Sequence, residues 1–460
     1  MSPPTTRRGV DLTLGAELYA LVEELYPICR SITGDGVRAT LDIIGRFAPM
    51  TVTEVPSGTP VLDWNVPNEW NIREAYIADG SGARVIDFAT NNLHVVGYSK
   101  PVAATMSLDE LRPHLHTVPD RLDAIPYRTS YYQESWGFCL TQRQLDSLDA
   151  GEYEVRIDAT LAPGSLTLGE AVVAGSSSDE VLVSAHVCHP SLCDDNLSGV
   201  AVATMLAREL AAGPTPRHTF RFVFAPATIG AITWLATHPA EVARIRHGLT
   251  LTCLGDSHPF TYKRTVHGNA VIDRAAAVAL AESGIEHELI DFFPYGYDER
   301  QYGSPGFRLP VGSLMRARHG TFPEYHTSDD DLEFVSAERL AESFAIVRRL
   351  LEVVDSDRTM MNLAPWGEPQ LGRRGLYRAV GGTGLPDLEY AMLWVLNQSD
   401  GEHTLLDIAE RSGLDHHVLV AAAQLLEEHG LVQDAANQSS ATFTAPNGHK
   451  PSEWIGDPEQ

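Results

Sequence analysis

The sequence predicts an α/β protein that carries a mostly-β insertion and a C-terminal winged helix. Three features indicate this fold class. After Gly164, buried β-type runs alternate with amphipathic helices. From about residue 50 to 165, short β-type runs alternate with Pro, Gly and Asn turns, and beyond about residue 387 three short helices precede a further β-type run. We therefore expect a core domain of residues 10–50 and 165–362, an inserted β domain of residues 51–164 and a winged-helix domain of residues 375–446.

The individual elements follow from hydrophobic spacing. Apolar residues recur at three- and four-residue steps through residues 13–47, which predicts two helices separated by the turn at 31–36. Period-two and continuous apolar runs predict strands at 51–55, 75–78, 84–88, 153–161, 180–184, 219–224, 249–254, 288–292 and 311–314. Amphipathic stretches predict helices at 198–212, 230–236, 271–283, 337–355, 388–397, 404–412 and 415–429. Residues 364–386 are rich in Pro and Gly and predict a linker, and residues 430–433 and 441–444 predict a two-stranded wing.

The composition is typical of a globular protein, with 43% hydrophobic and 21% charged residues. No apolar run approaches the roughly 20 residues that cross a bilayer, and no apolar stretch follows the N-terminal arginines, so we expect a cytoplasmic protein without a membrane partner. The five scattered cysteines then indicate reduced thiols. The formal net charge of −27 argues against a nucleic-acid partner, because phosphate binding draws on Lys and Arg.

The winged-helix region is itself acidic. Residues 376–460 contain three Lys or Arg residues and thirteen Asp or Glu residues, and the predicted recognition helix at 415–429 contains no Lys or Arg. Such a helix is poorly suited to contact phosphates or guanine. We therefore expect this region to mediate protein interaction or homo-oligomerisation, and a DNA-binding regulator with a degenerate hydrolase domain is the alternative.

Two segments predict a metal site. His186 follows the strand at 180–184, and Asp195 stands directly before Asn-Leu-Ser-Gly and a helix. Sites in open α/β sheets form beyond the C-terminal ends of strands. Asp194 and Asp195 could instead be helix caps alone. The second segment, residues 323–331, contains His326 and precedes the helix at 337–355. Histidine and carboxylate in two loops beside one sheet favour zinc.

Several longer motifs accompany these residues. They are Leu25-Tyr-Pro-Ile-Cys-Arg-Ser-Ile-Thr-Gly34, Val66-Pro-Asn-Glu-Trp-Asn-Ile-Arg73, Cys188-His-Pro with Asp195-Asn-Leu-Ser-Gly, Asp298-Glu-Arg-Gln-Tyr-Gly-Ser-Pro-Gly306 and Glu324-Tyr-His-Thr-Ser. With them the chain resembles the zinc aminopeptidase family of leucyl aminopeptidases and glutamate carboxypeptidases, and most closely a subgroup with an inserted β domain and a C-terminal winged helix. The resemblance implies a mixed-sheet, phosphorylase/hydrolase-like core that binds one Zn²⁺, or two, and hydrolyses amide bonds in small peptides or amino-acid amides.

The resemblance also implies residue roles. His186 and His326 match zinc ligands, and Asp195 matches the carboxylate that bridges two metals where two are bound. Asp298 matches an aspartate with a supporting role near the substrate amine. The fourth ligand would be a carboxylate after the strand at 249–254, where Thr252 stands at one aligned position and Asp256 is the nearest acid.

The chain departs from the family pattern in three positions. The His-x-Asp pair of the family reads His186-Val-Cys188, so the carboxylate that orients the histidine is missing or replaced. The paired glutamates of the family fall on Ala227 and Thr228. Thr228 is normal for the subgroup and favours one zinc. Ala227 stands at the position of the general base.

Loss of that base removes a factor of about 10² to 10⁴ in rate, so we expect the chain as given to be slow or inert. To explain Ala227, we favour an engineered substitution of the general base by alanine, introduced to trap a complex, because the rest of the motif is intact. A natural loss of the base, or its replacement by Glu324 or Asp298, is the other explanation.

The remaining polar and aromatic residues have weaker assignments. Cys188, His189 and Cys193 lack a second half at zinc-finger spacing, so we interpret them as residues packed under the site and not as ligands, and a structural zinc site formed with His186 is the alternative. Substrate contacts are assigned to Arg316, Arg300, Tyr131 and Tyr132, and an ion pair or ordinary packing is the alternative for each. The same fold and zinc could also perform acyl transfer or cyclisation.

Overall fold

The computed structural model describes residues 11–376 and 387–437. The chain divides into two compact units between Leu350 and Leu351. Among the described residues, no helix is both long enough and apolar enough to cross a membrane.

The first unit contains most of the strands and helices. In chain order its strands are β1 (Thr51–Pro56), β2 (Pro60–Val61), β3 (Trp64–Asn65), β4 (Glu69–Ala78), β5 (Arg84–Asp87), β6 (Val102–Ser107), β7 (Leu115–His116), β8 (Phe138–Cys139), β9 (Glu152–Ala162), β10 (Ser165–Val173), β11 (Glu180–His186), β12 (Thr219–Ala225), β13 (Ile245–Leu251), β14 (Phe260–Lys263), β15 (His287–Ile290) and β16 (Val311–Met315). Its helices are α1 (Leu12–Leu25), α2 (Asp35–Ile44), α3 (Leu108–Leu111), α4 (Gln142–Asp146), α5 (Gly199–Ala212), α6 (Ile229–Thr237), α7 (Pro239–Val242), α8 (Val271–Ser283), α9 (Glu299–Tyr302) and α10 (Ala337–Ser356), the last of which runs past the division.

Eight strands of this unit form one mixed sheet in the order β1-β10-β12-β11-β13-β16-β14-β15. The central strands β12, β11, β13 and β16 run parallel, whereas β10 pairs antiparallel with β1 and β12, and β14 pairs antiparallel with β16 and parallel with β15. Every residue of β11 is buried, as expected for a parallel strand covered on both faces. The carboxyl ends of β11, β12, β13 and β16 therefore meet at one edge of the sheet, where the α/β architecture places a site.

The inserted region has its own antiparallel sheet, in the order β5-β4-β9-β6. Its apolar residues pack continuously with those of the main sheet, so that Trp70 and Val155 belong to the same core as Leu182 and Trp234. Strand β1 was expected in the insertion, but it pairs with β10 and extends the main sheet. We call residues 57–164, between β1 and β10, the insertion.

The second unit contains β17 (Thr359–Asn362), α11 (Asp387–Gln398), β18 (Asp400–Thr404), α12 (Leu405–Ser412), α13 (His416–Glu428) and β19 (Val432–Asp434). The strands form an antiparallel sheet in the order β18-β17-β19. The middle strand of this sheet is therefore β17, which was expected in the core domain. The predicted wing strand at 441–444 lies outside the described residues.

Candidate metal centre

Asp195 lies at the centre of a cluster of imidazoles at the carboxyl edge of the main sheet. Its carboxylate is fully buried. Oδ1 lies 2.9 Å from His186 Nε2, and Oδ2 lies 3.0 Å from His326 Nε2. The Tyr297 hydroxyl donates a hydrogen bond of 2.9 Å to Oδ2. The structure thus brings together the three residues that the sequence predicted as zinc ligands.

His189 joins this cluster, which differs from the sequence interpretation of it as a packing residue. Its Nε2 lies 3.8 Å from Asp195 Oδ2. The potential ligand atoms of His186, His189 and Asp195 all lie within 4.8 Å of one another. The His189 ring also packs edge-on against that of His186, with ring centroids 4.9 Å apart. A third imidazole is therefore available to a metal.

The loop between β11 and α5 positions these donors. His186 is the last residue of β11, and Asp195 lies in the irregular helical turn Cys193–Ser198 that leads into α5. Asp330 holds this turn, because its carboxylate accepts the N–H groups of Asp194 (2.6 Å) and Asp195 (2.9 Å). His186 and Asp195, which are close in sequence, therefore also lie in contact in the structure.

The insertion holds the loop that carries His326. Tyr127 N–H donates to the His326 carbonyl oxygen at 2.8 Å, and Ser328 N–H donates to the Ile125 carbonyl oxygen at 2.8 Å. The Arg121 guanidinium binds the Pro323 carbonyl oxygen and the Asp329 carboxylate. His326 has a positive φ of 56°, a strained conformation that these contacts stabilise.

The protonation states of the cluster suit metal binding. Burial by itself would raise the pKa of Asp195, but His189, His186 and His326 together hold it well below the usual range. Burial lowers the pKa of His189 well below its usual value. Metal ligands must be an ionised carboxylate and neutral imidazoles. The donor set, one carboxylate and three imidazoles in buried surroundings, is therefore one that Zn²⁺ fits.

Ala227 and Thr228 lie in the turn between β12 and α6. Ala227 N–H donates to Cys188 Sγ at 3.2 Å, and Thr228 N–H donates to Asp298 Oδ1 at 2.9 Å. Thr228 has a positive φ of 62°. Burial raises the pKa of Asp298 to about 6. A carboxyl group thus contacts the turn that lacks its expected glutamate.

Two other acids do not join the cluster. Asp256 is fully buried, but its oxygens accept the N–H groups of His258 (2.5 Å) and Ala317 (3.3 Å), so the geometry does not support Asp256 as the fourth ligand. Thr252 contacts the His319 ring at 3.1 Å instead of the cluster. Glu324 contributes its backbone carbonyl to the turn at Thr327, with no side-chain contact to the cluster among the described residues.

The two predicted substrate arginines also lie elsewhere. Arg316 is 1% exposed and forms a 2.7 Å ion pair with Glu342 of α10. Arg300 reaches the Pro294 carbonyl oxygen at 3.4 Å. Neither borders the cavity beside the cluster. Arg316 thus forms an ion pair, but a buried one and not the surface pair expected as the alternative, because α10 supplies a buried carboxylate that the local sequence does not reveal.

A cavity of about 360 Å³ opens beside His189 and His326. Its walls include the predicted residues Tyr131 and Tyr132, together with Trp64 and Tyr127 of the insertion. The cavity also borders Ala227, so the position of the expected base faces the same space as the imidazoles. This arrangement is typical of a pocket that positions a small ligand beside a metal.

Comparisons with known proteins agree with this architecture. The chain is 51% identical over 413 residues to a Clostridium acetobutylicum protein named "Putative polysaccharide biosynthesis protein with aminopeptidase-like domain", covering 90% of this chain and 95% of that one. It is also similar to the crystal structure of a "putative peptidase" from the same organism, with 48% identity, a TM-score of 0.87 and coverage of 92% and 97% of the two chains.

A more distant likeness concerns the fold alone. A zinc aminopeptidase from Bacillus subtilis matches with a TM-score of 0.56 and 13% identity, covering 75% of this chain and 95% of that chain. The core therefore has the aminopeptidase fold, as the sequence resemblance predicted. A winged helix-turn-helix family matches residues 358–434, which confirms the C-terminal winged helix and includes β17. A further family, described as "Domain of unknown function (DUF4910)", matches residues 19–357, and the chain belongs to this family.

Proposed function

We propose that this protein is a zinc-dependent hydrolase of amide bonds in small peptides or amino-acid conjugates. The observation that carries the proposal is the convergence of three imidazoles on the buried carboxylate of Asp195, beside a cavity large enough for a small ligand. The aminopeptidase fold of the core supports the same reaction class.

His186, Asp195 and His326 would hold the metal, and His189 is placed to complete the set. A bound Zn²⁺ supplies Lewis acidity to an amide carbonyl and acidity to a water molecule. The Tyr297 hydroxyl, hydrogen-bonded to Asp195, and the ring of Tyr127, centred 5.1 Å from that of His326, fix the orientation of these donors.

In the hydrolysis itself, water adds to the amide carbon, the C–N bond breaks, and the departing nitrogen takes a proton. A carboxylate must receive the proton from water and pass it on. Asp298 is the acid that contacts the Ala227–Thr228 turn, and its pKa of about 6 leaves most of it ionised at neutral pH. Asp298 does not border the cavity, whereas position 227 does, so we expect Asp298 to replace a glutamate at position 227 poorly and the chain with alanine to be slow.

The Ala227→Glu variant tests this proposal. Zinc-loaded Ala227→Glu should hydrolyse at least one member of a panel of short peptides, aminoacyl amides and their N-acetylated forms about 10² to 10⁴ times faster than the chain with alanine, because a general base contributes that factor. Release of the amine is followed by chromatography.

Ala227→Gln is the matched control, because it adds the same volume without a base, and it should stay at the level of alanine. A chelator should abolish the gain. If the glutamate and glutamine variants are equally inactive on the whole panel while both contain zinc, the proposed hydrolysis is wrong.

A further inference from the structure

The cavity beside the metal cluster has uncharged walls. Its lining residues are Ile32, Trp64, Tyr127, Thr129, Tyr131, Tyr132, Cys188, His189, Ala227, Thr228, Ile229, Tyr297 and His326. Among these described residues none is Asp, Glu, Lys or Arg. The two histidines belong to the metal cluster, so the rest of the wall offers aromatic faces, hydroxyl groups and aliphatic carbon.

Away from the metal cluster, such walls give a charged ligand group no partner. An ammonium that enters the cavity loses water and gains no opposite charge, which is unfavourable. Asp298, the acid that contacts the Ala227–Thr228 turn, does not border the cavity, and its Oδ1 already accepts the N–H of Thr228. The two arginines that the sequence offered for a substrate carboxylate, Arg300 and Arg316, do not border it either.

The open side of the cavity carries an aromatic pair from the insertion. Trp64 is 43% exposed and Tyr132 is 50% exposed, although both are large apolar side chains. Their rings pack edge to face with centroids 5.4 Å apart. Exposed aromatic faces at a pocket entrance favour flat or apolar ligand groups and cost little conformational entropy on binding.

From the uncharged walls and the exposed aromatic pair we infer that the substrate is a small amide without an ammonium group, with an apolar or aromatic group that contacts Trp64 and Tyr132. The α-nitrogen of such a substrate is acylated or otherwise blocked. The inference rests on the proposed hydrolysis and narrows it, because it excludes the free amino terminus that an aminopeptidase binds. At about 360 Å³, the cavity lies near the lower end of ligand pockets, which favours a single conjugate over a polypeptide.

Two ligands with the same ring test this inference by calorimetry on the zinc-loaded protein. They are phenylalaninamide and N-acetylphenylalaninamide, which at pH 6.5 are mainly cationic and neutral. The neutral ligand should bind at least about ten-fold more tightly than the charged ligand, since desolvating an unpaired charge is costly. Equal or tighter binding of the charged ligand overturns the inference.

A pH series gives a second test with the same ligands. The amine of phenylalaninamide loses its charge as the pH rises through the α-amino range near about 8, so its affinity should rise toward that of the acetylated ligand by pH 9. The acetylated ligand reports any titration of the protein itself. A fall in phenylalaninamide affinity over the same range, removed by Asp298→Asn, would show that a carboxylate holds the ammonium and would overturn the inference.

The aromatic pair is tested by Trp64→Ala, which should weaken N-acetylphenylalaninamide by roughly five-fold or more. Trp366→Ala is the matched control, because Trp366 is 49% exposed and does not border the cavity. Equal effects of the two substitutions contradict the role of Trp64. The zinc content of the protein distinguishes failure of the proposed function from failure of this inference. A zinc-free protein overturns both. A zinc-bound protein without a preference for the neutral ligand overturns the inference alone.

Discussion

Cys188 replaces a carboxylate of the family pattern and takes a different part in the site. Its thiol accepts the N–H of Ala227 at 3.2 Å and lies 3.4 Å from His189 Nδ1. Burial raises the pKa of this thiol to about 12. Cys188 therefore links the turn at Ala227 to the imidazole of His189, whereas His186 contacts the amide of Asn196 at 3.2 Å.

His247 of β13 gives a pH-dependent prediction outside the site. Burial, with the nearby His218 and two arginines, lowers its pKa to about 4. Because this folded-state pKa lies below the unfolded value of about 6.5, neutral His247 favours the fold. Its contribution to the free energy of unfolding is complete above about pH 6.5 and is lost as the pH falls toward 4.

We predict that lowering the pH from 6.5 to 4.5 reduces the free energy of unfolding of His247→Gln by about 2 kcal/mol less than that of the unsubstituted protein, because glutamine takes up no proton. Urea unfolding at each pH measures the difference. The exposed His267 provides the control, and His267→Gln should follow the unsubstituted protein. Identical pH slopes for His247→Gln and the unsubstituted protein would contradict the assignment.

Two residues of the metal cluster could be predicted because they lie next to the end of a predicted strand or the start of a predicted helix. His186 ends β11, and Asp195 precedes α5, so pattern and resemblance placed both. His189 was missed because the path of the chain after β11 decides where its ring points, and that path depends on contacts such as Arg30 Nε to the His189 carbonyl oxygen at 2.9 Å. The partner of Arg316 was hidden for a similar reason, since Glu342 lies 26 residues away on α10.

At the scale of elements, Lys263 of β14 holds the loop that carries Tyr297 and Asp298. Its ammonium donates to the carbonyl oxygens of Phe293 (3.3 Å) and Tyr295 (2.8 Å) and pairs with the carboxylate of Glu299. Lys263 and Glu299 are each 1% exposed. This buried pair therefore fixes the segment between β15 and α9 beside the site.

We predict that Lys263→Met destabilises the fold by about 3 to 5 kcal/mol, because it leaves the charge of Glu299 buried without its partner. Zinc affinity should fall as well, since the loop that carries Tyr297 loses its anchor. Chemical unfolding and zinc titration measure the two effects.

The double variant Lys263→Met with Glu299→Gln should recover part of the stability, because no unpaired charge remains. Arg349→Met is a matched control, since Arg349 and Glu282 form a half-buried pair with each side chain 21% exposed, and its loss should cost no more than about 1 kcal/mol. Equal losses from the Lys263 and Arg349 substitutions would contradict the account of the loop.

Hydrophobic periodicity predicted where most helices and strands lie, but two strands were expected in the wrong domain. The strand at 51–56 has the texture of the insertion, yet its pairing with β10 is a long-range contact that local pattern does not encode. Strand β17 follows α10 directly in sequence, but its partners β18 and β19 come some 40 and 70 residues later. Strand β13 begins at Ile245 and ends at Leu251, earlier than the expected 249–254. Element type was thus easier to predict than pairing or boundaries.

At the scale of the whole molecule, the insertion belongs to the site. It contributes Tyr127, Tyr131 and Tyr132 to the cavity and forms hydrogen bonds with the backbone of His326 and Ser328. A core without the insertion would lack both the aromatic wall and the support of the loop that carries His326. The insertion therefore shapes the cavity beside the proposed metal centre.

The second unit supplies none of the cluster residues, which all lie between His186 and His326. We predict that a chain ending at Asp357, after α10, binds zinc with the affinity of the full chain. Zinc titration of the two proteins, with circular dichroism as a check on folding, measures this. A folded but zinc-free truncated protein would contradict the assignment of the site to the first unit. We also propose that the acidic winged helix mediates self-association, in which case truncation lowers the mass measured by light scattering.

The central claim, a zinc site formed by His186, Asp195 and His326, is tested most directly by the metal content of the purified protein. Mass spectrometry of dissolved metals should find about one zinc per chain, because one such donor set forms one site. His186→Ala should remove that zinc while His267→Ala, an exposed histidine, retains it. A folded, unsubstituted protein that stays zinc-free in the presence of excess zinc would contradict the claim.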